Sequence, residues 1–544
     1  MTARRAALGV AGAALLISVL TLLARLAGFG RTLVFTNAVG AGSTGDTYLA
    51  ANNVPNIVYE VVAGGALASL VVPMLAGGIA VGDRDQVRRT ASALLGWTLL
   101  VLVPMAVLLA VLARPIAAGL LGGDAADPAK IDLAARFLVV FAPQVVLYGL
   151  GIVFTGILQA HRRFVGPAIV PLVSSVVVAG AYLLFAVLDG GRSVADLGRT
   201  AELVLGVGTT LGVVALTLPL LLPLRRLHLG LRPALRFPVG AAPRVRRLAI
   251  AGVVTLAGQQ LVALVAIRLA SAGAPEGTQV VYLAGMAMFL LPWAAVAVPL
   301  ATSVYPQLSA SAEAGDEAGY RSALAPVTVL TVVGSAVAAA GLVAVSGPIA
   351  RLFLISGDDA AAAAALQGTI AVFALGLVGY GLVAVLTRAL YARGLWRAPT
   401  VCVTAGWLVA VAADLVLSAV LPPADRGLAL AAGHSIGVTV AGLALLLVTA
   451  RAAGTGALAG LLRTGLLALA AAALAAVAGL WTAQALGAAP VPRGGMLAVV
   501  GTGLGAGGVV LAVAGVVMMG TARGPLTAAV RGLRGTGGRE VTGG

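Results

Sequence analysis

The stretch FAPQVVLYGLGIVFTGILQAHRRFVGP (141–167) decides the reading of the fold, because the chain repeats it at 373–399 as FALGLVGYGLVAVLTRALYARGLWRAP. Eleven of the 27 aligned positions are identical, among them Tyr148/Tyr380, Gly149/Gly381, Leu150/Leu382, Thr155/Thr387 and Pro167/Pro399. Helices rich in Ala, Val and Leu share some identity by chance. An aligned Tyr-Gly-Leu, a threonine and a shared terminal proline do not follow from composition. A second pair agrees at an offset of 233, ALASLVVPML (66–75) against PLATSVYPQL (299–308). Together they relate the fourth apolar span to the tenth and the second to the eighth. A shift of six spans is even, so both copies cross a membrane in the same direction. This predicts two parallel six-helix lobes about an axis along the membrane normal, an arrangement in which lobes rock around a central cavity.

Composition agrees. Of 544 residues, 60% are hydrophobic and 10% charged, with a mean hydropathy of +1.06. A soluble domain carries about 25% charged residues, so a soluble enzyme, a disordered chain and a disulfide scaffold are excluded. Cys402 is the single cysteine, which forbids an intramolecular disulfide and a zinc cluster. The only lysine, Lys130, lies outside any GxxxxGK[ST] context, so the chain is not its own P-loop ATPase. Transport energy must then come from a gradient, the substrate or another chain. No clustered acid, base or metal set points to an enzyme.

A membrane-spanning helix needs about 20 apolar residues. Fourteen candidates satisfy this: 6–30, 46–78, 90–113, 133–158, 166–188, 201–224, 247–271, 279–309, 323–346, 361–388, 399–421, 427–450, 457–485 and 495–520. The run from Ala6 follows Arg4 and Arg5 as a signal peptide does, but no A-x-A site follows it, and it reads as an uncleaved first helix. With both termini in the cytoplasm, and with Arg247, Arg388 and Arg463 counted at the soft cytoplasmic edges of their spans, the N-terminus, the even-to-odd loops and the C-terminal tail hold 24 of the 35 basic residues and six of the 19 acids. That asymmetry is what the positive-inside rule requires. One missed helix would scramble it. The net charge of +16 is therefore a topology signal and not a nucleic-acid footprint. The expected organisation is a first lobe at 1–226, a basic cytoplasmic linker at 227–246, a second lobe at 247–450, two further helices within 451–522 and a basic tail at 523–544.

The segment ARLAGFGRTLVFTNAVGAGSTGDTYLAANNVPNIVYEVVAGGALASLVVPML (24–75) resembles the start of the MurJ/MviN family, in which arginines of helix 1 precede an acidic residue and a Pro-Asn pair. ILQAHRRFVGPAIVP (157–171) and ALYARGLWRAPT (389–400) resemble that family's helix 4–5 and 10–11 junctions. The resemblance covers about 1–450, and helices 13 and 14 match by number. It implies a flippase of the multidrug/oligosaccharidyl-lipid/polysaccharide (MOP) exporter superfamily in a bacterial plasma membrane. The implied substrate is lipid II, the undecaprenyl-pyrophosphate-linked peptidoglycan precursor, moved from inner to outer leaflet by alternating access. Membrane lipids and cell-wall synthesis proteins are the other implied partners. Arg25 and Arg31 match the family arginines, Asp46 the acidic residue and Pro55-Asn56 the Pro-Asn pair. The chain departs from the pattern at three places. Tyr59 and Glu60 stand where basic residues are usual, Gly64-Gly65-Ala66-Leu67 replaces E-G-A-F, and Ala287 takes the place of an arginine in helix 8. A divergent member carrying another polyprenyl-linked glycan or small molecule, or a non-transporting scaffold of an envelope-synthesis complex, is the alternative reading.

A diphosphate headgroup carries about two negative charges, and crossing a low-dielectric slab without counter-charges would cost many kcal/mol. Arginine supplies a permanently charged fork for phosphate oxygens. Arg25 and Arg31 lie six residues apart, hence about 120° apart on a continuous helix. Gly28 and Gly30 between them offer a bend that would aim both at one cavity. Snorkelling to the interface is the competing reading. Arg268 either replaces the charge missing at Ala287 or anchors helix 7. Asp46 either pairs with Arg31 or caps its own helix. Asp414, the deepest acid, either binds a monovalent cation, titrates, or bonds a neighbouring helix. No cofactor is expected beyond such a cation or the membrane potential. Glu60 is either a cavity residue or an interfacial one, and His434 reads as a packing residue more readily than as a proton relay.

Overall fold

A computed structural model describes residues 19–20, 23–61, 68–123, 126–188, 193–236, 241–354, 360–486, 496–523 and 527. Every regular element among them is helical. In hydrocarbon each backbone N–H and C=O needs an internal partner, and a helix satisfies them within one segment.

Eleven helices among the described residues are long and apolar enough to cross a membrane, and 256–271 forms a shorter apolar helix. The expected first and second spans fall partly on residues outside the description, whereas the seventh, 247–271, lies within one helix, Ala241–Ser271. Within the expected span at 46–78 the described residues are helical at Ser43–Tyr59 and Ala68–Ala80, and 361–388 breaks at Gly376. A count of fourteen therefore does not follow from the helices described.

The chain divides into two compact units, 1–280 and 281–544. In the first, α1 (23–38), α2 (Ser43–Tyr59), α3 (Ala68–Ala80), α4 (Arg84–Val111) and α5 (Ala113–Leu121) lead to α6 (Pro128–Ala160). Then come α7 (Val165–Leu188), α8 (Arg199–Thr217), α9 (Leu221–Arg225) and α10 (Ala241–Ser271). Phe35, Tyr48, Phe137, Phe141, Tyr182 and Phe185 form its core. The Tyr48 hydroxyl bonds Tyr182 Oη at 2.9 Å and Thr209 Oγ1 at 2.8 Å, which satisfies these polar atoms inside an aromatic cluster. The basic linker starts as a strap along α4. The Ala234 N–H donates to the Ser92 carbonyl at 2.9 Å, and Trp97 Nε1 donates to the Leu235 carbonyl at 2.9 Å.

The second unit holds most of α11 (Thr278–Glu313), then α12 (Glu317–Phe353), α13 (Ala360–Leu375), α14 (Leu377–Ala392), α15 (Arg397–Val420) and α16 (Arg426–Ala453). The two extra helices, α17 (Leu461–Ala485) and α18 (Met496–Thr521), dock on α12 through Ala336, Ala340, Ala344, Ala468, Ala471, Ala475 and Ala514. Small side chains let backbones approach where lipid offers no hydrophobic drive for association.

The internal repeat is present in the geometry of each unit. A Cβ on Gly149 of α6 would lie 2.9 Å from Thr98 Cγ2 of α4, and a Cβ on Gly381 of α14 would lie 3.0 Å from Thr331 Cγ2 of α12. Thr98 and Thr331 are themselves 233 residues apart. The glycines shared by the two copies thus mark the same close helix crossing. The repeated tyrosines match as well. Tyr148 packs on Tyr59 with ring centroids 4.6 Å apart, and Tyr380 packs on Trp293 at 4.6 Å.

Candidate functional site

Helix α1 is unbroken from 23 to 38, so Gly28 and Gly30 do not unwind it, and neither faces a neighbour that would require a glycine. The bend expected to bring both arginines to one cavity is absent, because the helix satisfies its own backbone through that stretch. Arg25 and Arg31 take different faces. Arg25 is exposed. Arg31 is half-buried, and its charge acts on the hydroxyls of Tyr48, Tyr148 and Tyr182. Neither guanidinium has a hydrogen-bond or ion-pair partner among the described residues. Among the described residues Arg31 is thus a half-buried, unpaired cation whose charge is felt by three phenols.

Asp46 follows neither sequence expectation. It does not pair with Arg31, and α2 begins at Gly42 without a side-chain cap. Its carboxylate instead accepts three backbone N–H groups of the first unit's last residues: Gly277 at 2.7 Å, Gln279 at 3.0 Å and Val280 at 3.1 Å. A helix start leaves its first N–H groups without intrahelical partners, and a carboxylate there satisfies them and suits the helix dipole. The signal was long-range, 231 residues away in sequence, so no local pattern could show it.

Arg268 sits in the last turn of α10, half-buried, where a cation is favoured by the helix C-terminus. Its side chain has no partner among the described residues.

Glu60, just beyond α2, lines a cavity of about 370 Å³ with Tyr59, Tyr148, Gly151, Thr155 and Gln159. Glu60 is therefore a cavity residue. Tyr148 is fixed by donating to Asn56 Oδ1 at 3.0 Å, which gives Asn56 of the Pro-Asn pair a structural task. Sequence reasoning used Tyr148 only to establish the repeat and missed it as a site residue. Its retention beside glycine in both copies was the available signal.

In the second unit, Asp414 of α15 is fully buried and packs against Gly433 of α16. Neither carboxylate oxygen has a hydrogen-bond partner, nor does either ring nitrogen of buried His434. His434 is ringed by Phe289, Phe373, Tyr380 and Trp407, with centroids 5.3 to 6.4 Å away. Among the described residues no three His, Cys, Asp or Glu side chains converge as a metal cluster. Among the described residues the acid bonds no neighbouring helix.

A membrane bundle built from two repeats, with a free arginine on its first helix, matches a family pattern. The family model described as lipid II flippase MurJ matches residues 35–489. The chain belongs to the MurJ family.

Its relatives within that family are distant. A probable lipid II flippase MurJ of Rhizobium tropici is 29% identical over 76% of each chain. A lipid II flippase MurJ of Burkholderia cenocepacia is 26% identical over 70% of this chain and 73% of its own. In structure, the chain superposes on a lipid II flippase MurJ in an inward closed conformation with a TM-score of 0.73 at 18% identity, covering 93% of this chain and 99% of that one. An inward-facing multidrug resistance MATE family transporter of the MOP superfamily gives 0.65 at 14% identity, over 82% and 99% of the two chains. These likenesses establish the fold: an all-α bundle of the kind seen in those two transporters.

Proposed function

We propose that this protein is a flippase that moves lipid II, a polyprenyl-diphosphate-linked cell-wall precursor, from the inner to the outer leaflet for peptidoglycan synthesis. The family match over 35–489 carries the reading, and Arg31 supplies its chemistry. A half-buried guanidinium without a partner among the described residues offers a diphosphate charge compensation and bidentate hydrogen bonds where water is scarce. Charged residues within spans are expensive and mark substrate pathways. Arg25 and Arg268 are further cations for the same anion, Arg25 meeting it at the exposed end of its path. Asp46 supports the substrate path by holding the chain at 277–280, not by touching substrate.

Alternating access needs a driving force. Asp414 is its seat in this reading: a buried carboxylate without a partner has the chemistry to take up a monovalent cation as a bilayer-spanning lobe changes state. The lobes correspond to 1–226 and 247–450, joined by the basic linker, with both termini in the cytoplasm. Cell-wall synthesis proteins are the partners that would receive the product. The protein acts as a transporter and not as an enzyme.

The reading is tested by rescue. Expression of this gene during depletion of an authentic lipid II flippase should restore growth and lipid II exposure on the outer leaflet. Growth arrest with normal membrane levels would contradict it. The tyrosine and glutamate at positions 59 and 60 favour a second reading, in which the headgroup carried differs from the one taken by relatives with basic residues there.

A further inference from the structure

We propose that the cavity beside Tyr148 is a subsite for an organic ammonium group, with the Glu60 carboxylate as its counter-ion and the Tyr59–Tyr148 pair as its aromatic wall. The inference rests on the flippase reading for the molecule that brings the amine. Three observations carry it.

The first is space. The cavity of about 370 Å³ lies in the range of small-ligand sites, roughly 300–1,000 Å³. The repeat supplies an internal control. In the second unit Tyr380, Val383 and Val403 stand 232 residues after Tyr148, Gly151 and Pro171, and they line a void of only about 10 Å³. There Val383 stands where the first unit has Gly151, and Val383 and Trp407 both line the void. One fold position is packed shut in one copy and hollow in the other, so the hollow is not demanded by the architecture.

The second is charge. Glu60 has no hydrogen-bond or ion-pair partner among the described residues. The other described residues lining the cavity are neutral, so among the described residues its one formal charge is negative. Arg31 acts on Tyr148 from elsewhere in the unit. The unit therefore holds an unpaired cation and an unpaired anion among its described residues, a pattern suited to a molecule bearing both a phosphate and an amine.

The third is the wall. Two tyrosine rings 4.6 Å apart and inclined at 46° present π-faces and edges to the cavity. A cation within about 6 Å of such a ring is attracted by its quadrupole. Tyr148 is held in place through Asn56, so its ring is preorganised. An ammonium meets both parts of this site, whereas a second anion would be repelled by Glu60.

Two sources could present that ammonium: the free amino group of the precursor's stem peptide, or the ethanolamine headgroup of a bilayer lipid. The full-length protein in phosphatidylglycerol nanodiscs would be titrated with lipid II carrying a free side-chain amine and with its N-acetylated form. In a second arm, discs containing phosphatidylethanolamine would be compared with discs containing N-acetyl phosphatidylethanolamine, by lipid retention without precursor. In one arm the free amine should be preferred about tenfold, and Glu60→Gln should bring both forms to the affinity of the acetylated one. The arm that responds identifies the source. A wild-type ratio near one in both arms, or a preference that survives Glu60→Gln, overturns the proposal. Failure of both lipid II forms to bind contradicts the flippase reading instead, and the ethanolamine arm then decides the ammonium site alone.

Discussion

The Asp46 carboxylate accepts the Gly277 N–H at 2.7 Å, joining the start of α2 to a segment 231 residues later. Gln279 and Val280 complete the contact. Nearby, a Cβ on Gly45 would collide with Val280 and with the Gly40 carbonyl, so the approach is close as well as polar. Removing the acid strands three backbone donors at once. Each buried unsatisfied polar group costs about 1–3 kcal/mol, and losing a capping side chain alone costs about 1 kcal/mol. Asp46→Ala should therefore lower stability by about 2–4 kcal/mol, seen as a lower unfolding temperature in detergent. Asp46→Asn should fall between the two. Arg31→Ala should leave the unfolding temperature near wild type, because Arg31 bonds nothing. Equal losses in Asp46 and Arg31 variants would contradict this division of roles.

The glycines of the repeat make a second prediction. Gly149→Val and Gly381→Val each drive a side chain into a threonine of the facing helix. Overpacking of this kind costs about 1–3 kcal/mol or more. Both variants should lower the unfolding temperature, whereas Gly28→Ala, with open space around its Cβ, should leave it unchanged or raise it, since alanine favours helix. Tolerance of valine at 149 would mean that the paired helix crossings are not equivalent.

The global pattern was legible because it is written locally. Apolar runs of bilayer length and a tyrosine-glycine repeat each survive translation into helices and helix crossings. What the sequence concealed is tertiary. Asp46 could not be assigned to residues 277–280 by any local rule. The proximity of Gly28 and Gly30 suggested a break in α1, yet that helix is continuous, since glycine permits a bend without imposing one. Glu60 was ambiguous until α6 and α7 supplied the other walls of its cavity.

Asp414 makes the third prediction. A site that binds an ion only when folded stabilises the fold in proportion to occupancy. If Asp414 is that site, raising a monovalent cation such as sodium at constant ionic strength should raise the unfolding temperature of the wild-type protein. Asp414→Asn should abolish that dependence and stop gradient-driven transport while leaving membrane insertion normal. The same cation response in both proteins would assign Asp414 to packing.

The charge asymmetry makes the fourth. Reporter fusions after Arg89, Arg163, Arg247 and Arg397 should all read cytoplasmic, because each follows a basic loop that resists translocation. One periplasmic signal among them would break the assigned topology.

The central claim is that the free guanidinium of Arg31 compensates a diphosphate on its way across the membrane. The most direct measurement is the fraction of lipid II accessible on the outer leaflet in cells depleted of their own flippase and supplied with wild type, Arg31→Lys or Arg31→Ala at matched membrane levels. Wild type should restore exposure, lysine should restore it in part because it keeps charge without the bidentate fork, and alanine should remain at the depleted level. Full exposure with Arg31→Ala would contradict the account.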